Sequence, residues 1–510
     1  MQAIRRHREI VWLAVIVGIA GAVIFATLTL QSFDTGETIT AWRVLHPSYA
    51  DTLQAVANGE RSGPLYYTLA WGWSHVFGLG EAGLRSMSAL FGIGTIVVMF
   101  LVGRELFSRR AGVIAALLTA LDPDVIWYAQ EARSYPLYIF FTAAALYFFV
   151  RALKRPSTRA YVGWAVAAGL ALCTHYFSAF SLGVEAVWLI VAARPRVAVP
   201  LKSVAAVGVV GVALLPLAIH QEGSGRGNGF TSIPVLERGA SAALKFVTGE
   251  GPATSGSWSH EPLLARQVGV AALLICAAFA LVLFMRGRRP ERRLAAAVGS
   301  VGLLAFLLPI AMALAGADYV EPRGQLGSLA PLLAVVAGGV DVSIRLLERR
   351  RLPRIARLAP VLGLVAPLAV AVVATMTLSS FQRDNWRRLS QVALQQGPVG
   401  VVMADPGGLT RTLEYYYGKQ LPSLTARNYP SGVMTSRITT ISRSGPEPRA
   451  RGFRLVSRVR VDQSWTVGTY VAPRARRVSV PVLKHLDILG LSATARVDSA
   501  TPALGGGQLG

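Results

Sequence analysis

Cysteine is nearly absent from this chain. Of 510 residues only Cys173 and Cys276 are cysteines, and both sit inside apolar runs. That excludes a disulfide framework and a thiolate metal site, and leaves two small core residues. Charge is scarce as well, at 15% of residues, far below what a soluble domain of this length carries. Acid is the scarcer sign, with 27 Asp and Glu against 51 Lys and Arg. The chain also lacks a solenoid-type repeat, a metal motif of fixed spacing, and the inverted repeats or charged, broken helices of a transporter.

What is abundant is apolar sequence: 53% of residues, with a mean hydropathy of +0.47. Runs long enough to cross a bilayer fall at about 11–30, 82–102, 111–127, 135–152, 160–174, 177–193, 199–219, 264–285, 294–315, 325–344 and 358–379. The first follows a basic start, "MQAIRRHRE", and lacks a small-x-small cleavage site, so it reads as a retained membrane helix. The connections alternate in charge. "RRHRE", "GRELFSRR", "RALKRPSTR", "ARPRVAVPLK", "RGRRPERR" and "RLLERRRLPRIAR" form one set, and mixed or acidic loops form the other. By the positive-inside rule the first set is cytoplasmic, so much of the net charge of +24 is a topogenic signal beside anionic lipid. No nucleic-acid partner is needed to explain it.

The expected organisation is therefore an all-α polytopic membrane domain of about eleven helices over residues 1–379, its N-terminus cytoplasmic. Two long outward loops interrupt it. Residues 31–81 contain the amphipathic "SGPLYYTLAWGWSHVFGLG", suited to a helix in the membrane interface, and 220–262 are rich in Gly, Ser and Pro. From residue 380 the composition changes: "VGVVMADP" ends an apolar run in a loop, "GLTRTLEYYYGK" has helical spacing and "SWTVGTYVAP" alternates like a strand. Residues 380–494 read as a small extracytoplasmic α/β domain, and 495–510 as a disordered tail.

Polar groups concentrate in the outward loops. "LDPDVIWYAQEARSYPLY" gathers Asp122, Asp124, Gln130, Glu131, Arg133 and Tyr135; Asp34, Glu37 and His46 lie in the first loop, His175 and Tyr176 in another, and Arg323 in a third. Ionisable groups at membrane depth are costly unless they pair or line a wet cavity, which makes them functional candidates. Plainer readings compete. Asp122 and Asp124 fit helix caps, His175 fits a hydrogen-bonded core histidine, and the loop aromatics fit an interfacial belt. Asp34, Glu37 and Asp124 are the acids that could hold a divalent cation such as Mg, Mn or Ca, although no cofactor is required.

"FDTGETITAW", "GPLYYTLAWGWSHVFG", "GLRSMSALFG" and "DPDVIWYAQEARSYPLYIF", followed by "THYFSAF", "EPRGQLGSLAP" and "RDNWRRLSQVAL…EYYYG", occur in the order typical of one family. Over about residues 30–420 the chain resembles the GT-C-fold membrane glycosyltransferases of the protein-mannosyltransferase-like superfamily. The resemblance implies a glycosyltransferase, hexosyl or pentosyl, in the bacterial plasma membrane. It would move a sugar from a polyprenyl-phosphate donor to a hydroxyl acceptor on an envelope glycan, lipid or protein, with inversion. A polyprenyl phosphate leaves readily, so it needs electrostatic stabilisation and no general acid, while the acceptor needs one carboxylate base. The family register puts the base at Glu37, with Gly36 where the family has Asp, so Asp34 is the second candidate. It puts Arg323 and Arg133 on the lipid-phosphate side, with Gln130, Glu131 and Tyr135 around the donor. Asp124, His46, Tyr66, His175 and Tyr176 remain as acceptor-side or lining residues. Gly324 stands where the family has Tyr. Two other readings are a flippase for lipid-linked saccharides and an inactive binder of such lipids.

Overall fold

The computed structural model describes residues 2–222, 233–249 and 263–378. Beyond these it describes 382–395, 400–405, 410–418, 421, 423–425, 427–443, 452–461, 465–479 and 494–497. The chain forms two compact units: residues 1–29 with 44–382, and residues 30–43 with 383–510. The loop expected at 31–81 is thus divided, because its opening stretch belongs to the second unit.

In the first unit every expected apolar run falls on a helix. Among the described residues, eight helical segments are long and apolar enough to cross a membrane: 8–26, 81–106, 135–154, 198–222, 266–286, 289–314, 322–349 and 354–377. A ninth candidate is the pair Arg109–Ala120 and Pro123–Ala129, bent by 60°. The bend has a local cause. Asp122 precedes a proline and sits in the extended region (φ −73°, ψ 121°), outside the helical basin that the proline ring disfavours for its neighbour. Its carboxylate then starts the new helix by accepting the Val125 N–H at 3.0 Å. The remaining two, Thr158–Thr174 and Ser178–Ala192, have 17 and 15 residues, at or below the usual spanning length.

The largest core joins Glu81–Leu106, Tyr135–Lys154, Thr158–Thr174, Arg289–Leu314 and Leu329–Arg349. Alanines at 143, 145, 160, 167, 168 and 171 keep these axes close, as helix packing in lipid requires. Glu185 is buried there, and its carboxylate accepts the Trp164 indole N–H at 2.7 Å. By contrast, 198–222 and 354–377 leave Val209, Val212, Ile219, Val370 and Val373 exposed, the surface that lipid would cover. The expected interfacial segment forms the helix Leu65–Phe77. The Gly/Ser/Pro-rich loop contains a helix, Val235–Thr248, and its flanks lie outside the described residues.

The second unit is α/β. Its described residues form five strands, β1 (Val401–Asp405), β2 (Val433–Arg443), β3 (Arg454–Arg460), β4 (Trp465–Val478) and β5 (Thr494–Val497), in the order β3-β4-β2-β1-β5. β1 and β2 are parallel and the other pairs antiparallel. Trp386, Leu389 and Ala393 of the helix Trp386–Gln395 and Leu413 of Thr410–Tyr417 pack with Val402, Ile441, Trp465 and Val467 on one face of the sheet. Residues 495–497, expected in the tail, belong to β5, and 498–510 lie outside the described residues.

Candidate active site

A cavity of about 530 Å³ opens in the first unit where four segments converge. The first is the end of the helix Tyr49–Gly59 with the turn that follows, which brings Glu60, Arg61 and Ser62. The turn packs tightly: a Cβ on Gly63 would lie 2.1 Å from the Cys173 carbonyl oxygen, so only glycine fits. The second is the turn between Pro123–Ala129 and Tyr135–Lys154, bearing Arg133 and Tyr135. The third is the junction of the helices Thr158–Thr174 and Ser178–Ala192, bearing His175, Tyr176 and Phe177, and the fourth is the loop with Tyr319 and Glu321. Gln221 ties two of the walls to a third helix. It accepts from the Tyr176 hydroxyl at 3.0 Å and donates to the carbonyls of Val56 and Ser62.

The electrostatic centre is an ion pair. Arg133 Nη2 lies 2.9 Å from Glu60 Oε2, and Glu60 is almost wholly buried. Beneath it sits the buried Tyr67. Burial raises its phenol well above the ordinary range; the Arg133 cation opposes that rise and the Glu60 carboxylate adds to it. Tyr67 therefore stays protonated. His175 moves the other way. Burial first, and then the Arg133 charge, lower its pKa to about 4, so the imidazole is neutral at physiological pH. Its ring stacks on Tyr138 with centroids 4.8 Å apart and planes 13° from parallel.

A second cation stands alongside. The Arg323 guanidinium is 5.6 Å from the Tyr135 ring centre and 3.8 Å from Glu131 Oε1. Next to it, the Tyr138 hydroxyl donates to the Gly324 carbonyl at 2.9 Å and accepts the Gly327 N–H at 3.0 Å. A Cβ on Gly324 would meet the Phe177 ring at 2.6 Å. Phe177, a cavity residue, thus fills the space in which a side chain at 324 would begin.

Residues 61–220 match the family described as dolichyl-phosphate-mannose-protein mannosyltransferase. This is narrower than the 30–420 over which the sequence motifs were legible. No curated protein matches the chain. Among solved structures, ArnT from Cupriavidus metallidurans in the apo state superposes with a TM-score of 0.55 at 15% identity, covering 90% of this chain and 97% of that one. The same protein bound to undecaprenyl phosphate gives 0.54 at 16% identity, covering 92% and 99%. Oligosaccharyltransferase AglB from Archaeoglobus fulgidus, in complex with an inhibitory peptide and a dolichol-phosphate, gives 0.48 at 12% identity, covering 84% and 69%. The chain is a multi-pass membrane protein of GT-C fold.

On that GT-C frame, Arg133, Tyr135, His175 and Tyr176 line the cavity, and Arg323 with Glu131 adjoins it through Tyr135. Gln130 is the C-cap of Pro123–Ala129, and Asp124 lies buried in the first turn of that helix. Tyr66 packs edge-on against Tyr67 at 5.0 Å. His46 bonds through its main chain, accepting the Trp71 indole N–H and donating to Thr52 Oγ1. Glu37 and Asp34 belong to the second unit and are occupied locally. Asp34 is the N-cap of Thr35–Ile39 and accepts the Glu37 N–H at 2.7 Å, while Glu37 Oε2 accepts the Asp34 N–H at 3.0 Å. This reciprocal pair is a capping box. Glu37 is fully buried, with Arg383 Nε 3.9 Å from Oε2. Asp124 falls in the other unit, and no group of three or more potential metal-ligating side chains forms among the described residues. Sequence reasoning missed Glu60, Arg61, Gln221 and Glu321. The one available signal was the charged dipeptide Glu60-Arg61, immediately before the aromatic stretch at 62–80.

Proposed function

We propose that this protein is an integral-membrane glycosyltransferase that takes a sugar from a polyprenyl-phosphate donor and passes it to a hydroxyl acceptor, with inversion, in the cavity around Glu60. The observation that carries the reading is the Glu60–Arg133 pair, a buried carboxylate and a guanidinium in contact at the wall of an aromatic-lined cavity. Such a pair can exchange partners. A donor phosphate entering beside Arg133 offers the guanidinium a bidentate partner and releases Glu60. Glu60 then takes the proton of the acceptor hydroxyl, whose oxygen attacks the anomeric carbon as the carbon–oxygen bond to phosphate breaks. Polyprenyl phosphate departs with the electron pair, and Arg133, Arg61 and the Tyr67 hydroxyl stabilise the charge that develops there. Neutral His175 and the rings of Tyr176, Phe177 and Tyr319 offer faces against which a sugar can rest. The undecaprenyl phosphate bound to the GT-C-fold ArnT supports a donor of this chemical kind.

The test is transfer from radiolabelled polyprenyl-phosphate sugars by membranes containing the wild type, Glu60→Gln or Glu37→Gln. Loss of a general base costs about 10²–10⁴-fold in rate. That loss is expected for Glu60→Gln at normal protein level. Glutamine can still serve at N3 of a capping box, so Glu37→Gln should transfer within a few-fold of wild type. The reverse outcome would return the base to the first loop.

A further inference from the structure

We propose that the outer edge of the second unit's sheet, made by β3 and the end of β4, docks an extended anionic glycan carrying phosphate or carboxylate groups along its length. Residues 383–510 contain 18 Lys and Arg against 7 Asp and Glu. The positive-inside rule acts within about 15–20 residues of a span, whereas the arginines of this sheet begin 60 residues past the helix Arg354–Thr377. The segment's charge is concentrated. β2, β3 and β4 together hold eight arginines and no lysine, aspartate or glutamate. Six of these, Arg454, Arg458, Arg460, Arg474, Arg476 and Arg477, are exposed.

The sheet register sets them in a row. β3 is the outermost strand, and Arg460, Arg458 and Arg454 face Thr466, Gly468 and Val471 of β4 in turn. Past Val471, β4 runs on without β3: it carries Arg474 in the irregular stretch 472–475 and then Arg476 and Arg477 where it pairs again with β2. From the level of Thr466 to Arg477 is a distance of roughly 27 Å at the rise of a strand, since their partners Ser442 and Met434 are eight residues apart on β2. A row of that length matches a linear polymer better than a compact anion, and guanidinium groups recognise phosphate and carboxylate bidentately. A plainer role is protection of an exposed edge against strand pairing, which needs one or two charges and usually employs lysine. It does not explain why the row continues along β4. A lipid surface fits less well, because membrane-binding faces combine base with apolar side chains. Along β3 and β4, Val456 is the only exposed large hydrophobic among the described residues.

The experiment uses the full-length protein in nanodiscs of neutral phosphatidylcholine, with labelled long-chain polyphosphate and alginate as probes. Wild type is expected to bind both, with affinity falling steeply as salt rises. The combined variant Arg458→Gln, Arg460→Gln, Arg474→Gln and Arg476→Gln should bind at least about tenfold more weakly at an unchanged melting temperature, as loss of four ionic contacts implies. Equal binding by the variant would overturn the proposal. So would capture of phosphatidylglycerol vesicles with neither polymer bound, or a preference for single-stranded DNA over both.

Discussion

Glu60 and Glu37 are both buried glutamates with a guanidinium nearby, at 2.9 Å in the first case and 3.9 Å in the second. They differ in what else their oxygens do. Glu37 spends Oε2 on the Asp34 N–H and closes a capping box at the start of a five-residue helix. Glu60 ends a helix, pairs with Arg133 across 73 residues of sequence, and borders a cavity. A carboxylate that satisfies backbone groups contributes to folding and has little left for a ligand. One whose partner is another side chain at a void can exchange that partner. Local sequence created the first glutamate's environment, and tertiary structure created the second's.

The strongest test of this contrast is to remove the partner that makes Glu60 exchangeable. Arg133→Ala leaves a buried carboxylate without its countercharge, a loss of about 3–5 kcal/mol for such pairs. Melting of the detergent-solubilised variant should fall accordingly, and Arg133→Lys should recover part of the loss. Glu60→Gln combined with Arg133→Ala should melt higher than Arg133→Ala alone, because it removes the stranded charge. If the two melt alike, Glu60 does not depend on Arg133, and the distinction from Glu37 weakens.

The cavity also carries a pH signature. His175 has a pKa of about 4 in the folded protein, below the ordinary histidine value near 6.5. The unfolded chain therefore binds a proton that the folded chain does not between those two pH values. Stability is complete above about pH 6.5 and declines as pH falls toward 4, by about 3 kcal/mol in all. Melting curves of wild type and His175→Gln from pH 4 to 7.5 should converge at the acid end and separate above it. Parallel curves would mean that His175 titrates normally and is not held neutral beside Arg133.

Hydropathy made the helical unit legible because lipid imposes one requirement on every span, and all eleven apolar runs became helices. The positions at 160–174 and 177–193 show where that signal stops, since their helices of 17 and 15 residues are packed among neighbours. The strands of the second unit were visible through alternation in "SWTVGTYVAP", and β1 through "VGVVMADP". Arg133 and His175 were legible as candidates because they occupy recognisable motifs. Glu60 was not, because its significance comes from contacts with Arg133 and Tyr67 that no local spacing encodes. Asp34 and Glu37 were legible in a different sense. Their separation by three residues, Asp-Thr-Gly-Glu, is the spacing of a capping box as much as that of a catalytic acid pair.

That ambiguity yields the smallest but most discriminating expectation. If Asp34 serves as a cap, the relevant property is a short side-chain oxygen that accepts the Glu37 N–H, and charge is secondary. Asparagine supplies that oxygen and alanine does not. Asp34→Asn should therefore leave stability within about 0.5 kcal/mol of wild type, while Asp34→Ala loses about 1 kcal/mol, read as a drop in melting temperature. If Asp34 were the base, Asn and Ala would be equally inactive in transfer whatever their stabilities. A transfer assay on the two variants thus separates a role in the fold from a role in the chemistry. With transfer retained in Asp34→Asn, the first loop contributes a helix start, and the search for the base narrows to the carboxylates that line the cavity, with Glu60 foremost.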